Sequence, residues 1–185
     1  RGNAKMNWSR KLADNLAVRI HSANPHHSVS LPVQRYAIET LILNSIIISV
    51  SLLIGSILTQ ASQVLLALIA FLLLRFITGG RHFSSPTVCV LTTIAAFNLI
   101  PLIAQYVQSE TAVFALTLGS LLLCVIFAPQ GKRAVVKQHH LIKLAGGAII
   151  AVNLLVMSPV LSIAFFLQAA TLIHFGKGGT KNEEN

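Results

Sequence analysis

Between Tyr36 and Leu58 the chain reads YAIETLILNSIIISVSLLIGSIL, twenty-three residues that carry a single charge, Glu39. A helix needs about 20 apolar residues to cross a hydrocarbon layer about 30 Å thick. This run meets that requirement, and further apolar runs follow at about Val64–Ile77, Pro86–Val107, Ala112–Ala128 and Leu144–Phe175. Only 10% of the 185 residues are charged and 54% are hydrophobic, with a mean hydropathy of +0.73. A soluble domain carries roughly 25% charged residues. The expected fold is an all-α integral membrane protein.

Two runs depart from the usual length. The second is short unless Arg75 snorkels its guanidinium to the interface. The last covers 32 residues, and Ser158-Pro159 interrupts it near its middle. Split there, it gives two helices of about 15 residues, each about 22 Å long. These need local thinning of the bilayer or burial within the protein. Charge then sets the count. Six Lys and Arg precede the first span, Arg75 and Arg81 flank the second loop, Lys132, Arg133, Lys137 and Lys143 occupy the fourth, and Lys177 and Lys181 lie near the end. With six spans all fourteen fall on one side, which the positive-inside rule makes the cytoplasm. The expected organisation is a cytoplasmic N-terminal segment (1–35), a six-span membrane domain (36–176) and a cytoplasmic tail (177–185), both termini inside.

In the N-terminal segment Trp8, Leu12, Leu16 and Ile20 recur every fourth residue with Ala13 and Ala17 beside them, while Lys5, Arg10, Lys11, Asp14 and Arg19 fall mostly elsewhere. The spacing predicts a basic amphipathic helix over about Asn3–His21. Such a helix lies on an anionic membrane surface or packs against the membrane domain, and the two are compatible.

The same residues exclude several functions. The net charge of +9 encodes topology, and the base-stacking aromatics of nucleic-acid binders are missing, so no nucleic-acid partner is expected. Cys89 and Cys124 form no CxxC or disulfide framework. Cys124, inside LLLCVIF, reads as a small core hydrophobe. His21, His26, His27, His139, His140 and His174 match no HExxH-type pattern and read as solvated loop residues. No cofactor or metal is expected. The first 35 residues contain no apolar core followed by a cleavage site, so no secretory signal is expected.

Chemistry-bearing residues gather in one place, Arg75–Val90, RFITGGRHFSSPTVCV. Pro is favoured as the first residue of a helix and Ser as the cap before it. Ser85 therefore caps a helix that Pro86 starts, and Cys89 stands in its first turn. Unpaired backbone N–H groups and the positive end of the helix dipole stabilise negative charge on a sulfur there. Arg81 acts in the same direction. Gly79-Gly80 lets the preceding loop turn sharply and bring His82 back over the helix start. A cysteine beside a histidine is the minimal thiol-protease arrangement.

These residues resemble a known family. RFITGGRHFSSPTVC is similar to the signature Arg-x-x-x-Gly-Gly-x-His-(six residues)-Cys of the accessory gene regulator B family, the AgrB-like processors of quorum-sensing peptides. Arg35–Glu39 (RYAIE) looks like that family's Arg-x-Gly-x-Glu/Gln element, and Phe127–Gln130 (FAPQ) like its Tyr-Ala-Pro, with Ala37 and Phe127 as departures. The order, spacing and six-span layout match over nearly the whole chain.

The resemblance implies a multi-pass cysteine endopeptidase of the bacterial cell membrane, acting at the cytoplasmic face. Its substrate would be an AgrD-like propeptide, cleaved in its C-terminal part through a thioester and cyclised to a thiolactone or lactone. By the same resemblance Cys89 is the nucleophile and His82 its general base, with Arg75 and Glu39 in support; a homodimer is also compatible with it. Glu39 would orient His82 or pair with Arg75, and Arg75 or Arg81 would bind an acidic tail on the substrate. Two other classes compete. A small peptide transporter needs polar groups near mid-membrane, for which Asn44, Asn98 and Asn153 are the main candidates. A non-enzymatic membrane partner would use only the basic N-terminal helix for docking.

Overall fold

The structure, a computed structural model, describes residues 8–23, 29–80, 85–130 and 139–173. Helices are the only regular elements among the described residues: α1 (Trp8–Ala23), α2 (Leu31–Ile57), α3 (Ala61–Thr78), α4 (Pro86–Ala104), α5 (Glu110–Phe127), α6 (His139–Ala151), α7 (Asn153–Val156) and α8 (Pro159–Ala170). Among the described residues five stretches are long and apolar enough to cross a membrane: α2, α3, α4, α5 and the α6–α7 stretch His139–Val156. The shorter α8 is the sixth apolar helix. The chain forms the expected all-α membrane architecture, but with one short apolar helix, α8, where two were expected.

Several boundaries move, each for a local reason. Helix α2 begins at Leu31, five residues before the expected Tyr36, because Pro32 in its first turn has no N–H to leave unpaired. Helix α3 takes up Ala61, Ser62 and Gln63, three polar or small residues ahead of the expected start at Val64, while Thr59 turns the chain at φ 57°. The result is 18 residues, about 27 Å at 1.5 Å per residue. That length nearly spans the hydrocarbon core without Arg75 having to reach for the interface. The fifth span likewise starts at His139, not Leu144, and reaches 18 residues. Of the two last helices only α8, with 12 residues, is as short as expected.

Folding of the last run is set by one side chain. Asn153 is fully buried. Its Nδ2 donates to Thr117 Oγ1 at 2.9 Å and to the Ser158 carbonyl at 3.2 Å, while its Oδ1 accepts from the Ser158 N–H at 3.0 Å. Met157 takes the left-handed conformation (φ 53°), and Ser158 caps α8 by accepting from the Leu161 N–H at 3.4 Å. Pro159 cannot continue the preceding helix and starts the next. The asparagine thus satisfies the backbone groups that the break exposes, as a break inside a membrane requires.

The chain divides into two compact units, Arg1–Ala61 with Phe83–Asn98 and Ser62–His82 with Leu99–Asn185. In the first, α1 packs on α2 through Ser9, Ala13 and Ala17, small side chains four residues apart and buried. The large residues of the expected apolar stripe point away from this seam, with Trp8 and Ile20 each about half exposed. The helix therefore has two faces, one for α2 and one left outward. In the second unit α5 packs against α6 and α8. Gly146 of α6 marks a close approach. A Cβ there would lie 2.9 Å from both Cys124 Sγ and Thr78 Cγ2.

Candidate active site

Cys89 lies in the first turn of α4, half-buried, and its N–H donates to the Ser85 carbonyl at 3.0 Å. That bond closes the turn which Pro86 opens, so the Ser-Pro start read from the sequence stands at the expected place. Thr93 Oγ1 donates to the Cys89 carbonyl at 2.6 Å and Thr92 Oγ1 does so at 3.2 Å. His82 and Arg81 lie outside the described residues. The other cysteine, Cys124, is fully buried in α5 against Gly146, as a core hydrophobe should be.

Glu39 sits in the same unit as Cys89, about a fifth exposed. Ser9 Oγ donates to its Oε1 at 3.0 Å, and Arg10 Nε lies 3.7 Å from the same oxygen. Arg35 Nε is 2.7 Å from Asp14 Oδ1, so both charged residues of the RYAIE element meet partners on α1. Ser9 also lines a small cavity of about 70 Å³ with Trp8, Leu43, Pro86, Thr87, Val90 and Leu91. The start of α4 and the residue that holds Glu39 thus share one apolar recess.

The other half of the signature is built around an amide that the sequence reading passed over. Arg75, in the last turn of α3, stacks over the Phe71 ring with its guanidinium carbon 5.8 Å from the ring centroid. Its Nη1 donates to Gln168 Oε1 at 3.3 Å. Gln168, fully buried on α8, donates from Nε2 to the Gly79 carbonyl at 2.7 Å and, over 3.5 Å, to Thr78 Oγ1. Thr171 Oγ1 donates to Gln168 Oε1 at 3.3 Å. Gly79 and Gly80 adopt φ of 79° and 144°, the region that favours glycine. A Cβ on Gly80 would lie 2.9 Å from both Arg75 Nη1 and Thr171 Oγ1. The FAPQ element joins the same cluster: the Ala128-Pro129 bond is cis and the Gln130 N–H donates to the Thr78 carbonyl at 2.9 Å. Gln168 was detectable as a lone amide in an apolar run, FFLQAATL, because an unpartnered polar group in lipid is costly.

Two motifs distant in sequence, RFITGG and FAPQ, therefore close on each other in space. The chain matches the family model for accessory gene regulator B over residues 9–176. It belongs to the AgrB family. No curated protein and no solved structure matches it. AgrB membership, with the apolar helices, makes this a multi-pass membrane protein and supports a part in agr quorum-sensing peptide processing. Several histidines read as loop residues stand elsewhere: His21 in the last turn of α1, and His139 and His140 at the start of α6. His26, His27 and His174 lie outside the described residues. Among the described residues no cluster of His, Cys, Asp or Glu is arranged to hold a metal ion.

Proposed function

We propose that this AgrB-family chain is a membrane cysteine endopeptidase that cleaves an AgrD-like propeptide and closes its product into a ring. The observation that carries the reading is Cys89 in the first turn of α4, at the end of the family signature. His82 removes the proton from the Cys89 thiol, and the sulfur attacks a carbonyl carbon in the C-terminal part of the propeptide. The C–N bond breaks, the leaving amine takes the proton from His82, and the N-terminal fragment remains as a thioester on Cys89. A Cys or Ser side chain of that fragment then loses its proton to His82 and attacks the thioester. Cys89 leaves as thiolate and regains the proton. Exchange of one thioester for another nearly conserves bond energy, so a site that keeps water away favours a ring over hydrolysis.

In this reading residues 36–176 form the endopeptidase domain and both termini face the cytoplasm, as does Cys89. Charge asymmetry supports it, since all fourteen Lys and Arg then share one side. The stripe Trp8, Leu12, Leu16 and Ile20 rests on the anionic inner surface of the membrane. Arg75, Arg81, Glu39 and Ser85 support the site without forming bonds to the peptide's reacting carbonyl. Transport is disfavoured by what the buried amides do. Asn153 is spent on the helix break, and Asn98 Nδ2 donates to the Ile94 carbonyl of its own helix at 2.9 Å.

Co-expression with an AgrD-like propeptide, followed by mass measurement, tests the proposal. The wild type should release the C-terminal tail, Cys89→Ala and His82→Ala should leave the propeptide at full length, and Cys124→Ala should process normally. A folded Cys89→Ala that still cleaves would end this assignment.

A further inference from the structure

Packed protein interiors leave few voids larger than a water molecule. The compact unit that holds Cys89 nevertheless keeps a recess of about 70 Å³ at the start of α4, where Pro86 and Val90 share it with Leu43 of α2 and with Trp8 and Ser9 of α1. Its walls are mostly hydrocarbon, and the Ser9 hydroxyl gives its hydrogen to Glu39 Oε1 at 3.0 Å. A recess of this kind stays dry and takes apolar groups.

Its position is tied to the thiol. Pro86 and Cys89 lie three residues apart in one helical turn, closed by the Cys89 N–H on the Ser85 carbonyl. Residues so spaced are neighbours on a helix surface, with Cβ atoms about 5–6 Å apart. An extended peptide advances about 3.3 Å per residue. A substrate side chain one or two residues from the carbonyl that Cys89 attacks therefore reaches the recess.

Size and depth narrow the occupant. A cavity of about 150 Å³ accepts a benzene ring, and a site for a drug-sized ligand has at least about 300 Å³. The recess has about half the first volume, enough for one aliphatic side chain and too little for an aromatic one. Pro86 opens a 19-residue span, and α1, with Arg10, Lys11, Asp14 and Arg19, is too polar to enter the hydrocarbon. At that level lipids present headgroups and glycerol, with their chain ends deeper. An apolar group arriving there belongs to a peptide.

We propose that this recess is a specificity pocket for one aliphatic side chain of the peptide substrate, within about two residues of the bond cleaved. This rests on the reading of Cys89 as the nucleophile. It adds Leu43, Trp8 and Ser9, all outside the RFITGG-to-Cys signature, as residues that select the peptide.

The test uses the full chain in phosphatidylglycerol vesicles with an AgrD-like propeptide. Each aliphatic residue within two positions of the cleaved bond is changed in turn to Ala and to Phe, and cleavage is followed by mass. At one position both changes should slow the wild type by about tenfold or more, since a methylene in an apolar pocket is worth about that much. Leu43→Ala removes three carbons from the wall and should reverse the order there, so that the Phe peptide is cleaved faster than the parent. Val90→Phe fills the recess and should cleave the parent and Ala peptides alike. If no position discriminates, or Leu43→Ala keeps the wild-type order, the pocket is wrong, while the Cys89 reading stands as long as Cys89→Ala is inactive. If Leu43→Ala slows every peptide equally, the recess only supports the fold and the pocket is again wrong. If the order is unchanged but all rates shift with the acyl-chain length of the vesicles, a lipid fills the recess, which also overturns the proposal. A Cys89→Ala protein that cleaves would remove the nucleophile itself, and this inference with it. Should Leu43→Ala fail to fold, Val90→Ala enlarges the recess from another wall and is judged by the same comparisons.

Discussion

Helix α1 meets α2 through Ser9, Ala13 and Ala17, and around that seam lie the charged contacts Arg35–Asp14 and Arg10–Glu39. Helix α3 is joined to α8 by the neutral amide of Gln168, through Thr78 and the half-buried Arg75, and α5 to α7 by the neutral pair Asn153 and Thr117. The difference follows from surroundings. Arg35 and Asp14 are each more than a third exposed, so water and headgroups can solvate them. Asn153, Thr117 and Gln168 are fully buried, where a charge would be very costly but a neutral amide is stable once all its hydrogen bonds are made. Removing a group from the first region should therefore cost little, because water replaces it. Removing one from the second leaves partners unsatisfied, with nothing to take its place.

The largest effect is expected where the second region meets the signature. Gly80→Ala places a Cβ 2.9 Å from Arg75 Nη1 and Thr171 Oγ1 at a φ of 144°, which L side chains rarely adopt. Propeptide cleavage should fall by about 100-fold or more, as for catalytic groups displaced by about an ångström. Normal cleavage by Gly80→Ala would mean that the turn is not held as tightly as its neighbours require. Next come two changes away from the signature, read by thermal unfolding in detergent. Asn153→Leu strips hydrogen bonds from Thr117 Oγ1 and from both backbone groups of Ser158. It should cost about 1–3 kcal/mol, the usual penalty for stranding buried polar groups. Gly146→Ala meets Cys124 Sγ and Thr78 Cγ2 at 2.9 Å each, and overpacking of this kind costs about 1–3 kcal/mol. Adding Cys124→Ala should recover part of that loss, since it removes one of the two obstacles. A double variant as unstable as Gly146→Ala alone would move the clash wholly onto Thr78.

How much of this could be read in the sequence depends on the range of each interaction. The succession of apolar helices, the Ser158-Pro159 break and the Ser85-Pro86 helix start are local and were legible, because proline chemistry and run length act within a few residues. The start of α3 was misplaced because Ser62 and Gln63 were judged by polarity, although a helix tolerates both in its first turn. The two faces of α1 were legible as a pattern, but which one meets α2 was not. Ser9, Ala13 and Ala17 win that place because small side chains let two helix backbones approach closely. Gln168 was missed for a different reason. It acts on Gly79, 89 residues away, and spacing within a motif says nothing about a partner at that distance. Its only local signal was polarity in an apolar run, which Asn44, Asn98 and Asn153 share.

The smallest effect belongs to the charged seam, and it is the sharpest check on the contrast. Arg35 Nε and Asp14 Oδ1 are only 2.7 Å apart, yet both side chains are substantially exposed. Ion pairs of that exposure contribute at most about 1 kcal/mol, and salt screens them further. A double-mutant cycle with Asp14→Asn and Arg35→Gln should give a coupling of about 0.5 kcal/mol at low salt, shrinking as salt is added. Propeptide cleavage should change little in Asp14→Asn, because Ser9 and Arg10 still hold Glu39. A coupling of several kcal/mol that salt does not touch would show the seam to be as dry as the amide cluster. The two regions would then differ in chemistry but not in environment, and the division of labour argued from water would have to be given up.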